Sequence, residues 1–223
     1  MFTKKLPGDA IGHAHGVDLE ATFDFLNTAD IENGFPLEKL RHIDAALAWF
    51  VDRGVIHREG ADRVQAKVAT QPTAAAKDLD RVHGVRDALR EVAEAIAEHR
   101  TPRTSALNTV NRALHARQVI ELVAAPNGCD VDHRHVGDPI DDALARLADP
   151  LVSELTGGHP ERIKVCASDA CQDIFYDASR TSRRRWCNMT TCGNRGKAAR
   201  HRARARSSAS EPADDELQVS SAN

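Results

Sequence analysis

The feature that most constrains this chain is a set of four cysteines near its C-terminus. Cys166 and Cys171 form one C-x4-C pair, and Cys187 and Cys192 form a second pair after fifteen intervening residues. Each pair allows a short turn to direct two sulfurs at one metal ion, and four sulfurs complete a tetrahedral site. A segment of about forty residues buries little core of its own, so a bound metal would contribute directly to its folding.

Zinc is the metal that this spacing favours, with all four cysteines as ligands of a closed structural site. The same cysteines could instead form two disulfides or hold an iron–sulfur cluster, although a reducing compartment disfavours disulfides. The N-terminus has two lysines but no apolar segment after them, so we expect no signal peptide and a cytoplasmic location. No stretch approaches the roughly 18 apolar residues of a membrane span, and we expect no membrane association.

Positive charge is concentrated around the cysteines. Residues 161–206 hold 12 Lys and Arg against 4 Asp and Glu, whereas residues 1–160 have a net charge of −7 and residues 207–223 one of −4. Such a local basic patch attracts phosphate backbones, so a nucleic acid is the predicted partner. The candidate contacts are Arg180, Arg183, Arg184, Arg185, Arg195, Lys197, Arg200, Arg202 and Arg204.

Hydrophobic periodicity predicts a mainly α fold, with a helical N-terminal domain over residues 17–156 that contains one β-hairpin. The predicted helices cover 18–28, 36–54, 58–69, 74–99, 104–117 and 138–156. The hairpin strands flank Asn127-Gly128, a strong two-residue turn signal. A Gly-Gly-His-Pro breaker at 157–160 then separates this domain from a small α+β zinc module at 161–206, and residues 207–223 form a predicted disordered acidic tail.

Finer predictions concern the basic segment. Gly193, directly after the fourth cysteine, is predicted to take φ > 0, and Asn194 to cap a helix over residues 195–206. The cations point in all directions around this helix, which leaves only alanines to bury. Phe175 and Trp186 are predicted to form the small core of the module rather than to stack on bases.

Several of these residues carry a resemblance to a known family. The string from Cys187 to Arg195 contains Cys-Gly-Asn-Arg, and Phe-Tyr-Asp-Ala-Ser-Arg at 175–180 precedes it. Together they resemble the CGNR zinc-finger family. Residues 19–28, which end in Phe-Leu-Asn-Thr, are similar to the start of the helical ABATE domain that usually precedes this finger. The resemblance implies a bacterial, stress-induced transcription regulator whose finger contacts nucleic acid.

The sequence therefore predicts a DNA-binding transcription regulator, whose N-terminal domain dimerises or senses a small-molecule effector. RNA binding and protein interaction through the finger are the alternatives that the same charge allows. Asp24 and Asn27 are polar positions in an apolar helix, and they either line a small-molecule pocket or face solvent. No catalytic motif is present, so we expect no enzymatic activity.

Overall fold

The structure is a computed structural model that describes residues 17–32, 34–116, 118–126, 128–135 and 137–209. These residues form the α-helices α1 (Leu19–Leu26), α2 (Ile43–Asp52), α3 (Arg58–Thr70), α4 (Pro72–Ala97), α5 (Thr104–Leu114), α6 (Pro139–Gly157) and α7 (Asn194–Ala209). The strands are β1 (Ala29–Glu32), β2 (Phe35–Glu38), β3 (Gln118–Ala125), β4 (Gly128–His135), β5 (Ile163–Val165) and β6 (Ile174–Tyr176). The predicted mainly helical class with a small C-terminal α+β module is confirmed.

Local capping explains where several helices begin. The Asp18 carboxylate accepts a hydrogen bond of 2.8 Å from the Ala21 N–H and starts α1. The Asp138 carboxylate likewise accepts from the Ile140 N–H at 2.9 Å, and Pro139 occupies the first position of α6. Carboxylate caps satisfy backbone donors that a helix cannot pair internally, and proline suits a first turn because its missing N–H is not needed there.

Within the described part of the chain, the strands form three antiparallel pairs, β1–β2, β3–β4 and β5–β6. The predicted hairpin corresponds to β3–β4, in which Ala125 pairs with Gly128, and Gly128 has the positive φ of 138°. Asn127, the other residue of the predicted turn, lies outside the described residues.

The β1–β2 hairpin corrects one prediction. Residues 36–54 do not form one helix, because residues 35–38 pair with β1 and α2 begins only at Ile43. Gly34, with φ of 86°, allows the turn between these strands, and Pro36 sits opposite Ile31. Leu37 and Leu40 have the three-residue spacing of a helix. Over so short a stretch, the same spacing also fits a strand followed by a loop.

The hydrophobic core surrounds the long helix α4, which packs against α1, α2, α3, α5 and α6. An aromatic cluster fills the space between α1 and α2: the ring of Phe25 lies 5.7 Å from Trp49 and 6.1 Å from Phe50, centroid to centroid. Phe25 and Phe50 are fully buried. Among the residues described, no helix combines the length and hydrophobicity that crossing a lipid bilayer requires.

The chain divides into two compact units, one ending at Cys187 and the other beginning at Asn188. The first contains α1 to α6 and all three strand pairs, and the second contains a π-helical turn (Met189–Gly193) followed by α7. The domain bounds 17–156 and 161–206 stay a prediction.

Truncation of the central aromatic cluster should destabilise the protein strongly. We expect Phe50→Ala to lower the free energy of unfolding by about 3–5 kcal/mol, because it leaves a cavity in a fully packed site. The measurement is urea denaturation followed by far-UV circular dichroism. Phe35→Ala is the matched control: Phe35 is 75% exposed, and its truncation should change stability by less than about 0.5 kcal/mol. Equal losses in the two variants would contradict this description of the core.

Candidate metal centre

The first cysteine pair lies in the loop between β5 and β6. The pairing of these strands continues into the loop, since the Cys166 N–H donates to the Asp173 carbonyl at 2.8 Å. The N–H groups of Cys171 and Gln172 both donate to the Ser168 carbonyl, at 2.9 and 3.1 Å, and close a tight turn. Gln172 leaves this turn with a positive φ of 60°. The backbone therefore holds both sulfurs at one end of a short hairpin.

The second pair comes from irregular chain and from the π-helical turn. Cys187 ends the first unit, and Cys192 lies buried within the turn Met189–Gly193. The side chain of Asn188 caps this turn, because its Oδ1 accepts from the Thr190 N–H at 2.8 Å. The turn then runs directly into α7.

This direct continuation contradicts two predictions. Gly193 does not take a positive φ; it is buried, and its N–H donates to the Asn188 carbonyl at 3.0 Å. Asn194 is not an N-cap, since it has helical φ and ψ of −68° and −39° and its side-chain amide donates back to the Thr190 carbonyl. A left-handed residue and a new cap are unnecessary where one helical turn passes into another.

The four cysteine sulfurs lie together. All four Sγ atoms are within 4.8 Å of one another, and those of Cys171 and Cys187 are 3.5 Å apart. Metal–sulfur bonds of about 2.3 Å in a tetrahedron place the sulfurs roughly 3.8 Å apart. Cys166 and Cys192 are buried, and the other two are half-buried. The set therefore fits a closed metal site with four sulfur ligands.

The electrostatics of the cluster favour a bound cation. Burial raises the pKa of the Cys171 thiol, and burial together with the neighbouring sulfurs and Asp173 raises the pKa of Cys187. Thiolates are therefore unfavourable here unless a positive charge offsets their mutual repulsion. A divalent metal supplies that charge, and its uptake at neutral pH would release the thiol protons.

The first half of the cysteine-rich segment is built into the helical core. Ile163 of β5 and Ile174 of β6 are 0% and 1% exposed and belong to the main hydrophobic cluster. The expectation that this segment buries little core is therefore wrong for its first half. The apolar residues on either side of the first cysteine pair were the signal for this burial.

The side chain of Asn27, the residue that follows α1, extends the pairing of β6. The Asn27 amide donates from Nδ2 to the Ile174 carbonyl at 2.9 Å, and its Oδ1 accepts from the Ile174 N–H at 2.9 Å. Asn27 thus pairs with the backbone as a neighbouring strand would, and its side chain is half-buried. Asp24, the second polar position, forms an ion pair with Arg53.

Two further side chains connect the helices to the cysteine loop. The Arg90 guanidinium donates to the Gln172 carbonyl at 2.6 Å, next to Cys171. The Tyr176 hydroxyl donates to the Glu154 carboxylate at 3.0 Å, and burial with this contact raises the pKa of Tyr176 to about 12. Sequence reasoning missed these contacts because their partners lie far apart along the chain.

A buried carboxylate organises the arginine-bearing loop that follows β6. Asp177 is fully buried and accepts hydrogen bonds from the N–H groups of Ser179, at 3.0 Å, and Arg184, at 2.7 Å. Burial alone would raise the pKa of Asp177, but these hydrogen bonds and the Arg184 charge lower it. Arg162 donates to the carbonyls of Asp177 and Ser179. The loop is therefore held at both of its ends.

The predicted nucleic-acid contacts on this loop differ in their exposure. Arg180, Arg183 and Arg185 are exposed. Arg184 is half-buried; its guanidinium lies 5.2 Å from the centre of the Phe175 ring and donates to the Cys187 carbonyl. Phe175 is buried, as predicted for a core residue. Arg184 thus supports the loop from within.

The second unit carries the other predicted contacts on α7. The side chains of all five are exposed: Arg195, Lys197, Arg200, Arg202 and Arg204. The described alanines of α7 are exposed as well. The helix therefore presents cations on every side, as the sequence predicted.

Loss of one sulfur should weaken metal binding sharply. We expect Cys192→Ser to lower the affinity for Co²⁺ by at least about 100-fold, because a neutral hydroxyl replaces one of four thiolates. Titration of the reduced full-length chain, followed by the visible absorption of thiolate-bound Co²⁺, gives the affinity and the stoichiometry. Cys129→Ser is the control, since Cys129 is exposed and outside the cluster. Wild-type binding by Cys192→Ser would exclude this site.

Removal of the α1 anchor should loosen the metal loop. We expect Asn27→Ala to lower the free energy of unfolding by about 2 kcal/mol, because it leaves the Ile174 N–H and carbonyl unpaired in a largely buried position. The same variant should bind Co²⁺ several-fold more weakly. Asn108→Ala, an exposed asparagine on α5, is the matched control. Unchanged stability and metal affinity in Asn27→Ala would show that the anchor is dispensable.

Comparison with known families finds two matches. A family model described as "Putative stress-induced transcription regulator" (ABATE) matches residues 19–158, and a model described as "CGNR zinc finger" matches residues 162–205. The comparison with curated proteins finds no match. The first match covers more than half of the chain, and the second contains all four cysteines. The chain therefore belongs to the ABATE family and carries a C-terminal CGNR zinc finger.

Proposed function

We propose that this protein is a transcription regulator that binds duplex DNA through its finger, with one structural zinc ion held by Cys166, Cys171, Cys187 and Cys192. The proposal rests on the exposure of cationic side chains on the two segments next to the cysteines. Arg180, Arg183 and Arg185 project from a loop with fixed ends, and the cations of α7 follow the fourth cysteine. Exposed guanidinium groups on fixed backbone are suited to phosphates and to guanine edges.

The sulfur arrangement supports zinc over the alternative groups. A single tetrahedral ion needs sulfurs about as close as these, whereas the cysteines of an iron–sulfur cluster bind different iron atoms and need a wider spacing. The 3.5 Å between the Cys171 and Cys187 sulfurs is far longer than a disulfide bond of about 2.05 Å. Zinc would draw the four sulfurs together and fix the start of α7, and it has no open position for a substrate.

The aromatic residues of the finger support duplex DNA over single-stranded RNA. Recognition of single-stranded RNA uses exposed aromatic rings on which bases stack. Within the described residues of the finger, Phe175 is buried, and Tyr176 and Trp186 are half-buried. Tyr176 is also held by Glu154, and the Arg185 guanidinium lies 5.5 Å from the centre of the Trp186 ring.

The dimensions of α7 suit a DNA groove. Its 16 residues span about 24 Å, and the major groove, about 12 Å wide, admits an α-helix. Cations on all sides of such a helix would meet the phosphates of both strands. We assign the helical part of the chain to dimerisation or to sensing of a small molecule, and we assign no catalytic residue.

Substitution of the loop arginines should weaken DNA binding and its salt dependence together. Chromatin capture of the tagged protein identifies the bound sequence, and fluorescence anisotropy of that duplex at several salt concentrations gives the affinities. We expect the triple variant Arg180→Gln, Arg183→Gln, Arg185→Gln to reduce the slope of log K against log salt by about 0.9 for each phosphate that it no longer neutralises. A weaker sequence preference in the same variant would indicate that these arginines also touch bases.

Four comparisons separate this proposal from its alternatives. Arg63→Gln removes an exposed arginine of α3, outside the finger, and should leave the affinity unchanged. A scrambled duplex and a single-stranded RNA of the same sequence compete with the captured duplex. DNA binding by Cys192→Ser equal to that of the parent would refute the proposed role of the metal. Stronger binding to the RNA would assign the finger to RNA instead.

A further inference from the structure

A cavity of about 630 Å³ lies among α4, α5 and α6. Its lining residues fall within positions 80–85, 109–116 and 141–144, and none of the four cysteines is among them. Pockets for small organic ligands enclose about 300–1,000 Å³ and combine apolar walls with a few polar groups. This cavity is of that size and lies in the part of the chain to which we assign sensing.

A glycine inside α4 helps to form the cavity. Gly84 lies near the middle of a 26-residue helix, where glycine is the poorest residue apart from proline. A Cβ at this position would meet no heavy atom within 4 Å outside its immediate neighbours, so close packing does not require a glycine. Gly84 lines the cavity, and a larger side chain there would point into open space. A residue that weakens its own helix without serving its packing is typical of a functional position.

Part of the cavity lining is apolar. Val85 of α4 and Leu144 of α6 are 8% and 2% exposed, and Ala113 of α5 is half-buried beside them. These side chains offer a hydrophobic contact to the body of a ligand.

The wall formed by α4 and α6 is acidic. Arg81 is held by three carboxylates, with Nη2 at 2.8 Å from Asp78 and 3.2 Å from Asp138, and with Nη1 paired to Asp141. Its charge is therefore satisfied within the protein. Asp80, on the same wall, is exposed and has no ion pair among the described residues. This wall accordingly offers a carboxylate to a cationic group.

The part of the lining that comes from α5 is basic. Arg112 is exposed and donates to the Thr109 hydroxyl at 2.9 Å, and within the described part of the chain it pairs with no carboxylate. Arg112 and Asp80 form no ion pair with each other, so each remains available to a ligand. A guanidinium of this kind binds a carboxylate through charge-assisted hydrogen bonds.

We propose that this cavity binds a small amphipathic zwitterion of the size of an amino acid or short peptide. Its ammonium group would face Asp80, its carboxylate would face Arg112, and its apolar body would rest on Val85 and Leu144. The inference rests on the proposed sensing role. It can fail while DNA binding stands, because its test contains no DNA.

The location of the cavity also connects it to the metal loop. Two of the helices that line it, α4 and α6, carry Arg90 and Glu154, whose side chains hold the loop and strand of the first cysteine pair. A ligand between these helices would therefore act on the elements that position Cys166 and Cys171.

Calorimetric titration of the full-length chain with three peptides tests the site. The probes are leucyl-leucine, its N-acetyl form, which lacks the ammonium charge, and its C-terminal amide, which lacks the carboxylate. We expect leucyl-leucine to bind. Each blocked form should bind at least about ten-fold more weakly, because it lacks one of the two charged groups that the site would hold. Absence of leucyl-leucine binding at millimolar concentration, or equal affinity for all three peptides, overturns the proposal.

Three variants locate the binding. Gly84→Leu should abolish binding by filling the cavity, while the higher helix propensity of leucine keeps its melting temperature at or above that of the parent. Arg112→Gln should reduce the affinity for leucyl-leucine to that of the amide, and the exposed control Arg63→Gln should bind like the parent. Full binding by a folded Gly84→Leu variant excludes this cavity as the site.

Discussion

The pairing of the Asn27 amide with the backbone of Ile174 is the interaction on which the geometry of the metal centre depends. It joins the end of α1 to the strand that follows the first two cysteines, across 147 positions of the chain. The burial of Ile163 and Ile174 and the contact from Arg90 to Gln172 act at the same place. The helical core thus positions half of the sulfur ligands before any metal binds.

The cysteines of the metal centre are consequently held by different kinds of structure. Cys166 and Cys171 lie on a hairpin loop that backbone hydrogen bonds close, whereas Cys192 belongs to a π-helical turn of the second unit. A metal ion would add a bond between a preformed pair and a segment with little core of its own. In the proposed regulator, most of the folding free energy from zinc would therefore stabilise the residues after Cys187.

Signals that are local in the sequence predicted local structure well. Asp138-Pro139 marks the start of α6, and the cysteine spacing marks the metal site, because cap and ligand geometry depend on neighbouring residues. The strand at residues 35–38 was missed because its few apolar residues fit either period. The role of Asn27 could not be predicted, since its partner is distant and its own neighbours are those of an ordinary helix end.

In the proposed regulator, the even distribution of cations around α7 has a consequence for how a DNA sequence would be distinguished. A one-residue shift turns a helix by about 100°, yet this helix would still present guanidinium groups to both sides of a groove. Its attraction to the duplex would thus be insensitive to rotation and largely blind to base identity. Discrimination between operators would then fall to the loop clamped by Asp177 and Arg162, where orientation is fixed and few side chains are presented.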